Sequence, residues 1–113
     1  MEKVSERMSN TEAIQLSRFQ EFDPKRYVSK LLHDSEKSRV VLFCLEKGQE
    51  LSPHESASEV IFYGVEGKAT ILVGAERVVL GPKSIVVCPP MVPHGISASE
   101  RVTVLAVLTP RPG

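Results

Sequence analysis

Two histidines and one glutamate are the residues of this sequence with the types and spacing most suited to chemistry. His54 and Glu59 lie in the glycine-bounded stretch 48–67, GQELSPHESASEVIFYGVEG, and His94 is the next-to-last residue of the proline-rich stretch 81–95. Two imidazoles and a carboxylate that converge from different strands form a triad suited to Fe(II), and also to Mn, Ni, Co or Zn. The same residues are also compatible with hydrogen-bonded histidines and a glutamate paired with a basic residue.

The spacing of the first stretch predicts which side chains surround such a site. Alternate side chains of a strand face the same way, so Glu59, Ile61 and Tyr63 are expected to line one interior face. The Tyr63 phenol either binds a ligand or packs with its hydroxyl hydrogen-bonded. Ser56, two residues after His54, either holds a water or a substrate oxygen or serves the turn around it. Ser56, Ile61 and Tyr63 are therefore the predicted ligand pocket.

Short apolar segments separated by glycine and proline turns must position these side chains. Such regular spacing, with little helical pattern, is typical of a β-sandwich or barrel. Ser17 and Gln20 have the form of a capping box, which predicts a helical turn that ends near Phe22 before Pro24. The segment 39–45 is continuously apolar after its first residue and is expected to be covered on both faces. The predicted strands are 27–32, 39–45, 59–65, 69–73, 76–80, 84–88, 95–97 and 102–108.

Across residues 39–108 the two glycine-to-histidine stretches resemble the motifs of the cupin family. The first motif is matched by Gly48, His54, Glu59 and Gly67, and the second by Gly81, Pro89 and His94. The sequence departs from the family pattern at Ser56, Met91 and Ala98, where the family has histidine, glycine and asparagine. The resemblance implies an all-β fold, the double-stranded β-helix or jelly-roll barrel, RmlC-like in type. It also implies that His54, Glu59 and His94 supply three of the usual four metal ligands.

Length and composition limit the remaining possibilities. A chain of 113 residues predicts one domain, here residues 11–113 after a flexible lead at 1–10. The 14 basic and 14 acidic residues cancel, so net charge recruits neither nucleic acid nor an anionic membrane. The N-terminus has no apolar signal-peptide region, and we expect a cytoplasmic location. Cys44 and Cys88 lie in apolar runs without metal-type spacing, which indicates buried free thiols.

Two classes of function fit this sequence. The first is a module that binds a small organic molecule in the barrel, with a weak or incomplete divalent-metal site. The second is a metal-dependent enzyme, a dioxygenase or an isomerase, that acts on a small oxygenated substrate. The fold implies neither. Because open sheets leave edge strands that pair with other chains, we also expect a homodimer.

Overall fold

The computed structural model describes residues 11 and 13–112, and these form two β-sheets preceded by one turn of 3₁₀ helix. The helix spans Leu16–Arg18. The strands are β1 (Val28–Asp34), β2 (Arg39–Leu45), β3 (Glu50–His54), β4 (Glu59–Glu66), β5 (Ala69–Val73), β6 (Glu76–Leu80), β7 (Ile85–Cys88), β8 (His94–Ala98) and β9 (Val102–Thr109).

The two sheets have the strand orders β1-β2-β9-β4-β7 and β3-β8-β5-β6, and every strand pairing is antiparallel. The predicted all-β jelly-roll fold is confirmed. One strand, β3, was not predicted, and it contains a proline, Pro53. Proline is tolerated there since β3 is the edge strand of its sheet, paired only with β8.

Apolar side chains from both sheets form the core. Phe62 on β4, Ile71 on β5 and Ile96 on β8 are each at most 1% exposed, and they belong to one continuous buried cluster. Glycine permits the left-handed backbone conformation at turns of the described chain, among them Gly48 (φ +89°) and Gly67 (φ +78°). Gly67 lies in the short loop that joins β4 to β5.

The segment before β1 anchors to the outer face of the larger sheet. The Gln20 side-chain amide donates to the Thr103 hydroxyl at 3.0 Å, and that hydroxyl lies 3.9 Å from the Cys44 sulfur. Leu42 and Cys44 on this face of β2 are fully buried, so the prediction that β2 is covered on both faces is confirmed. The predicted capping box is wrong, because no side chain caps the helix and Ser17 lies inside it.

Both cysteines are buried and free, as the sequence predicted. Within the described residues, no helix is long and apolar enough to cross a membrane. The predicted flexible lead at residues 1–10 lies outside the described part of the chain.

Candidate functional site

The two sheets enclose a cavity of about 120 Å³ that opens to solvent. Its walls come from β2, β4 and β9 of the larger sheet and from β3 and β8 of the smaller one. Most of the lining is apolar, and the polar side chains are two histidines and one arginine. The lining residues are Arg39, Val41, Phe43, Leu51, His54, Val60, Phe62, His94, Ala106 and Leu108.

The two motif histidines lie side by side in this cavity. His54 ends β3 and His94 begins β8, and the two are direct partners in the antiparallel pair, with ring centroids 4.8 Å apart. His94 is 2% exposed and its ring meets the edge of Phe62, with centroids 5.9 Å apart, whereas His54 is exposed at the mouth. The sequence prediction that both histidines reach one point is consistent with this geometry.

Backbone carbonyls decide which nitrogen of each imidazole is free for a ligand. The Nδ1 atom of His94 lies 3.2 Å from the Val92 carbonyl oxygen, and Nδ1 of His54 lies 3.4 Å from the Ser52 oxygen. A carbonyl oxygen only accepts hydrogen bonds, so the tautomer that satisfies these contacts carries its proton on Nδ1. In a neutral imidazole this leaves Nε2 as an acceptor.

We expect the imidazole of His94 to titrate below its ordinary pKa of 6.5. Burial lowers this pKa, the charge of His54 adds to the effect, and the bond to the Val92 carbonyl acts in the opposite direction. The unfolded chain then binds more protons than the folded one at mildly acidic pH. The stability due to neutral His94 is therefore complete above pH 6.5 and is lost as pH falls through the folded pKa.

An NMR titration of the His94 ring measures this pKa directly, and urea unfolding across the same pH range measures the linked loss of stability. In the variant His94→Gln, the contribution of this residue to the pH dependence should disappear. A folded-state pKa at or above 6.5 would contradict the prediction.

The structure separates Glu59 from the two histidines. Glu59 is exposed, while its neighbours Val60 and Phe62 are each 1% exposed and line the cavity. Since alternate residues face opposite ways, Ile61 and Tyr63 also lie on the outer face with Glu59. The prediction that Glu59, Ile61 and Tyr63 face the interior is wrong, because the pairing of β4 with β9 places the other set inward.

Ser56 also lies outside the cavity lining. Its hydroxyl accepts a hydrogen bond from the Ser58 backbone N–H at 3.2 Å, and its carbonyl oxygen accepts one from the Met91 N–H at 2.8 Å. Of the two roles considered from the sequence, these contacts correspond to turn stabilisation. The predicted pocket residues Ser56, Ile61 and Tyr63 are thus replaced by side chains from β2, β3, β4, β8 and β9.

Arg39 is the polar cavity residue that the sequence analysis missed. It begins β2 and has the same parity as Val41 and Phe43, which also line the cavity. Its Nε donates to Asp34 at 3.3 Å, and the same carboxylate receives Arg111 through Nε at 2.6 Å and a second nitrogen at 3.1 Å. The sequence signal that could have identified Arg39 is its position at the start of an otherwise apolar strand, whose alternate residues must face inward.

The residues around the cavity do not fit the resident metal implied by the family resemblance. Within residues 11 and 13–112, no group of three or more histidine, cysteine, aspartate or glutamate side chains is placed to hold an ion. Two imidazoles remain, and the third polar group, the Arg39 guanidinium, is a cation that repels a metal ion. The three-ligand site predicted at His54, Glu59 and His94 is therefore not assembled by the described chain.

The sequence matches the family model for the cupin domain over residues 41–108. This chain belongs to the cupin domain family, in agreement with its fold and with the paired histidines between the sheets. No curated protein is similar enough in sequence to count as a match.

Solved structures show the same fold over nearly the whole chain. The TT1209 protein of Thermus thermophilus is 28% identical, with a TM-score of 0.83 over 90% of this chain and 100% of that one. An RmlC-like cupin from Desulfovibrio desulfuricans is 28% identical, with a TM-score of 0.82 over 88% of this chain and 97% of the other. KdgF from Halomonas sp., at 24% identity, shares the fold with a TM-score of 0.71 over 81% and 86% of the two chains.

Proposed function

We propose that this small cupin binds a small organic molecule in the cavity between its two sheets. The observation that carries the proposal is the cavity lining, in which two imidazoles and one guanidinium meet otherwise apolar walls. Apolar walls with a few converging polar groups are typical of small-molecule sites. A volume of about 120 Å³ favours a compact ligand well below drug size.

The side chains available near the cavity support binding over turnover. No carboxylate is among the residues that line it, so the described chain offers no carboxylate acid or base there. Burial raises the pKa of the Cys88 thiol to about 11, which keeps this cysteine protonated and unreactive at neutral pH. Cys88 is not among the lining residues, whose titratable groups are the two imidazoles and Arg39.

Filling the cavity tests the proposal. Ala106 is 1% exposed and lines the cavity, so Ala106→Leu places a larger apolar side chain where the ligand would lie. A panel of small polar organic molecules, screened by NMR, should include binders that shift the ring signals of His54 and His94. The affinity of Ala106→Leu for these binders should be at least tenfold lower than that of the wild type.

The matched control is Ala57→Leu, which makes the same change at an exposed position and should leave binding unaltered. Equal shifts in the wild type and in Ala106→Leu would contradict the proposal, as would the absence of any ring shift across the panel.

The alternative function, a metal-dependent dioxygenase or isomerase, would rest on His54 and His94, the two of the three predicted metal ligands that the structure brings into contact. Metal analysis of protein purified without an affinity tag separates the two functions. Stoichiometric iron or manganese would support the enzyme and contradict the binding module. The homodimer and the cytoplasmic location stay predictions.

A further inference from the structure

We infer that the ligand of this cavity is a small hydroxycarboxylate, whose carboxylate pairs with Arg39 and whose hydroxyl group donates to the His54–His94 pair. This inference rests on the proposed function and names the ligand class for the same site. It follows from which polar atoms face the cavity and which of them already have partners.

The Arg39 guanidinium has hydrogen-bond donors that are available to an anion. Its one hydrogen bond to a described residue runs from Nε to Asp34, and its two terminal nitrogens have no acceptor among the described side chains. A guanidinium presents two parallel N–H groups that match the two oxygens of a carboxylate. Arg39 is one of the residues that line the cavity, and we place the ligand carboxylate against these donors.

Asp34 does not neutralise Arg39. The Asp34 carboxylate is shared by two guanidinium groups, and its contacts with Arg111 at 2.6 and 3.1 Å are shorter than its contact with Arg39 at 3.3 Å. Two cations and one anion leave a net positive charge beside the cavity. This charge lies at the solvent-exposed edge of the cavity and favours an anionic ligand over a neutral one.

The imidazoles select a different group. Both Nδ1 atoms face backbone carbonyls, so the neutral rings present Nε2 acceptors to a ligand. An acceptor repels a carboxylate and attracts a hydroxyl hydrogen. Because all three side chains line one cavity of about 120 Å³, a compact molecule carrying both groups can contact Arg39 and the histidines together.

Four related probes separate the two contacts: lactate, lactamide, propionate and propionamide. Lactate has both groups, lactamide lacks the charge, propionate lacks the hydroxyl, and propionamide lacks both. Affinities come from NMR titrations that follow the His54 and His94 rings at pH 7.5. We expect lactate to bind at least tenfold more tightly than lactamide and at least threefold more tightly than propionate.

The chain offers a matched pair of arginine variants. Arg39→Met should lower the affinity for lactate at least tenfold and change the affinity for lactamide less than threefold. Arg77→Met removes an exposed arginine on β6 that is outside the cavity lining and shares no carboxylate with Arg39, and it should change the affinity for lactate less than threefold. Should Arg39→Met fail to fold, Arg39→Gln takes its place, and the comparison of lactate with lactamide on the wild type is decisive without either variant.

Distinct results identify which proposal fails. Amides that bind the cavity as tightly as their acids would overturn the hydroxycarboxylate inference and leave the proposed binding function intact. An equal loss of lactate binding in Arg39→Met and Arg77→Met would also overturn the inference, because the effect would then be one of overall charge. If no molecule of any class shifts the two rings, the proposed function itself fails.

Discussion

Replacing Gly95 by alanine is expected to destabilise the protein by about 3 kcal/mol and to move the two cavity histidines apart. An added Cβ at Gly95 would lie 2.5 Å from the Leu51 carbonyl oxygen and 2.9 Å from the Pro53 nitrogen. Both atoms belong to the backbone of β3, so the clash is relieved only if β3 moves away from β8. His54 and His94 sit on these two strands, and their contact depends on this close approach.

Denaturant unfolding measures the stability change, and ring-to-ring nuclear Overhauser effects between His54 and His94 measure the separation. Gly81→Ala is the matched control, because nothing lies within 4 Å of a Cβ built there and the backbone is not left-handed. We expect the control to change the free energy of unfolding by no more than about 0.5 kcal/mol. A Gly95→Ala variant as stable as Gly81→Ala would show that the strands are not so closely apposed.

Phe62→Ala is expected to cost about 4 kcal/mol of stability, since it removes a fully buried aromatic side chain and leaves a void. Phe62 is 1% exposed, lines the cavity and meets the His94 ring. The enlarged cavity should admit water to His94. Because burial is the main cause of the lowered pKa of His94, that pKa should rise toward its ordinary value in the variant.

Phe19→Ala makes the same chemical change at a side chain that is 39% exposed and remote from the cavity lining. Its expected cost is about 1 kcal/mol, with no change in the His94 titration. Urea unfolding measures the stability cost of both variants, and an NMR titration measures the pKa of His94 in each. Similar costs for the two substitutions would contradict the assignment of Phe62 to the core between the sheets.

The sequence alone predicted the fold because local signals agree with one another. Glycines at the tight turns and short apolar runs between them indicated a β-sandwich or barrel, and the resemblance of the two glycine-to-histidine stretches to the cupin motifs implied the jelly-roll type. The left-handed backbone at Gly67 and the burial of 39–45 were predictable for the same reason. His54 and His94 were identified from their types and spacing, and the structure brings both into one cavity.

The residues of β4 alone could not show which of its alternate side chains face the interior. Val60, Ile61, Phe62 and Tyr63 are all apolar or amphipathic, so either parity gives an acceptable interior face, and the motif spacing pointed to the set that contains Glu59. The tertiary structure decides which set faces inward through the register in which β4 pairs with β9. Val60 pairs with Leu108 and Phe62 with Ala106, which turns Glu59 outward to solvent. A charged carboxylate avoids the cost of burial in this arrangement.

The polar composition of the cavity likewise depends on contacts between distant parts of the chain. Arg39 becomes a cavity residue because β2 pairs with β9, and its charge persists there because Arg111, 72 positions along the chain, takes the shortest contacts with Asp34. The sequence by itself therefore determined the barrel and the histidine pair, through local turn and strand preferences. Only the tertiary structure decided that these histidines face a guanidinium and apolar walls instead of a glutamate, because strand register selects which side chains share an interior.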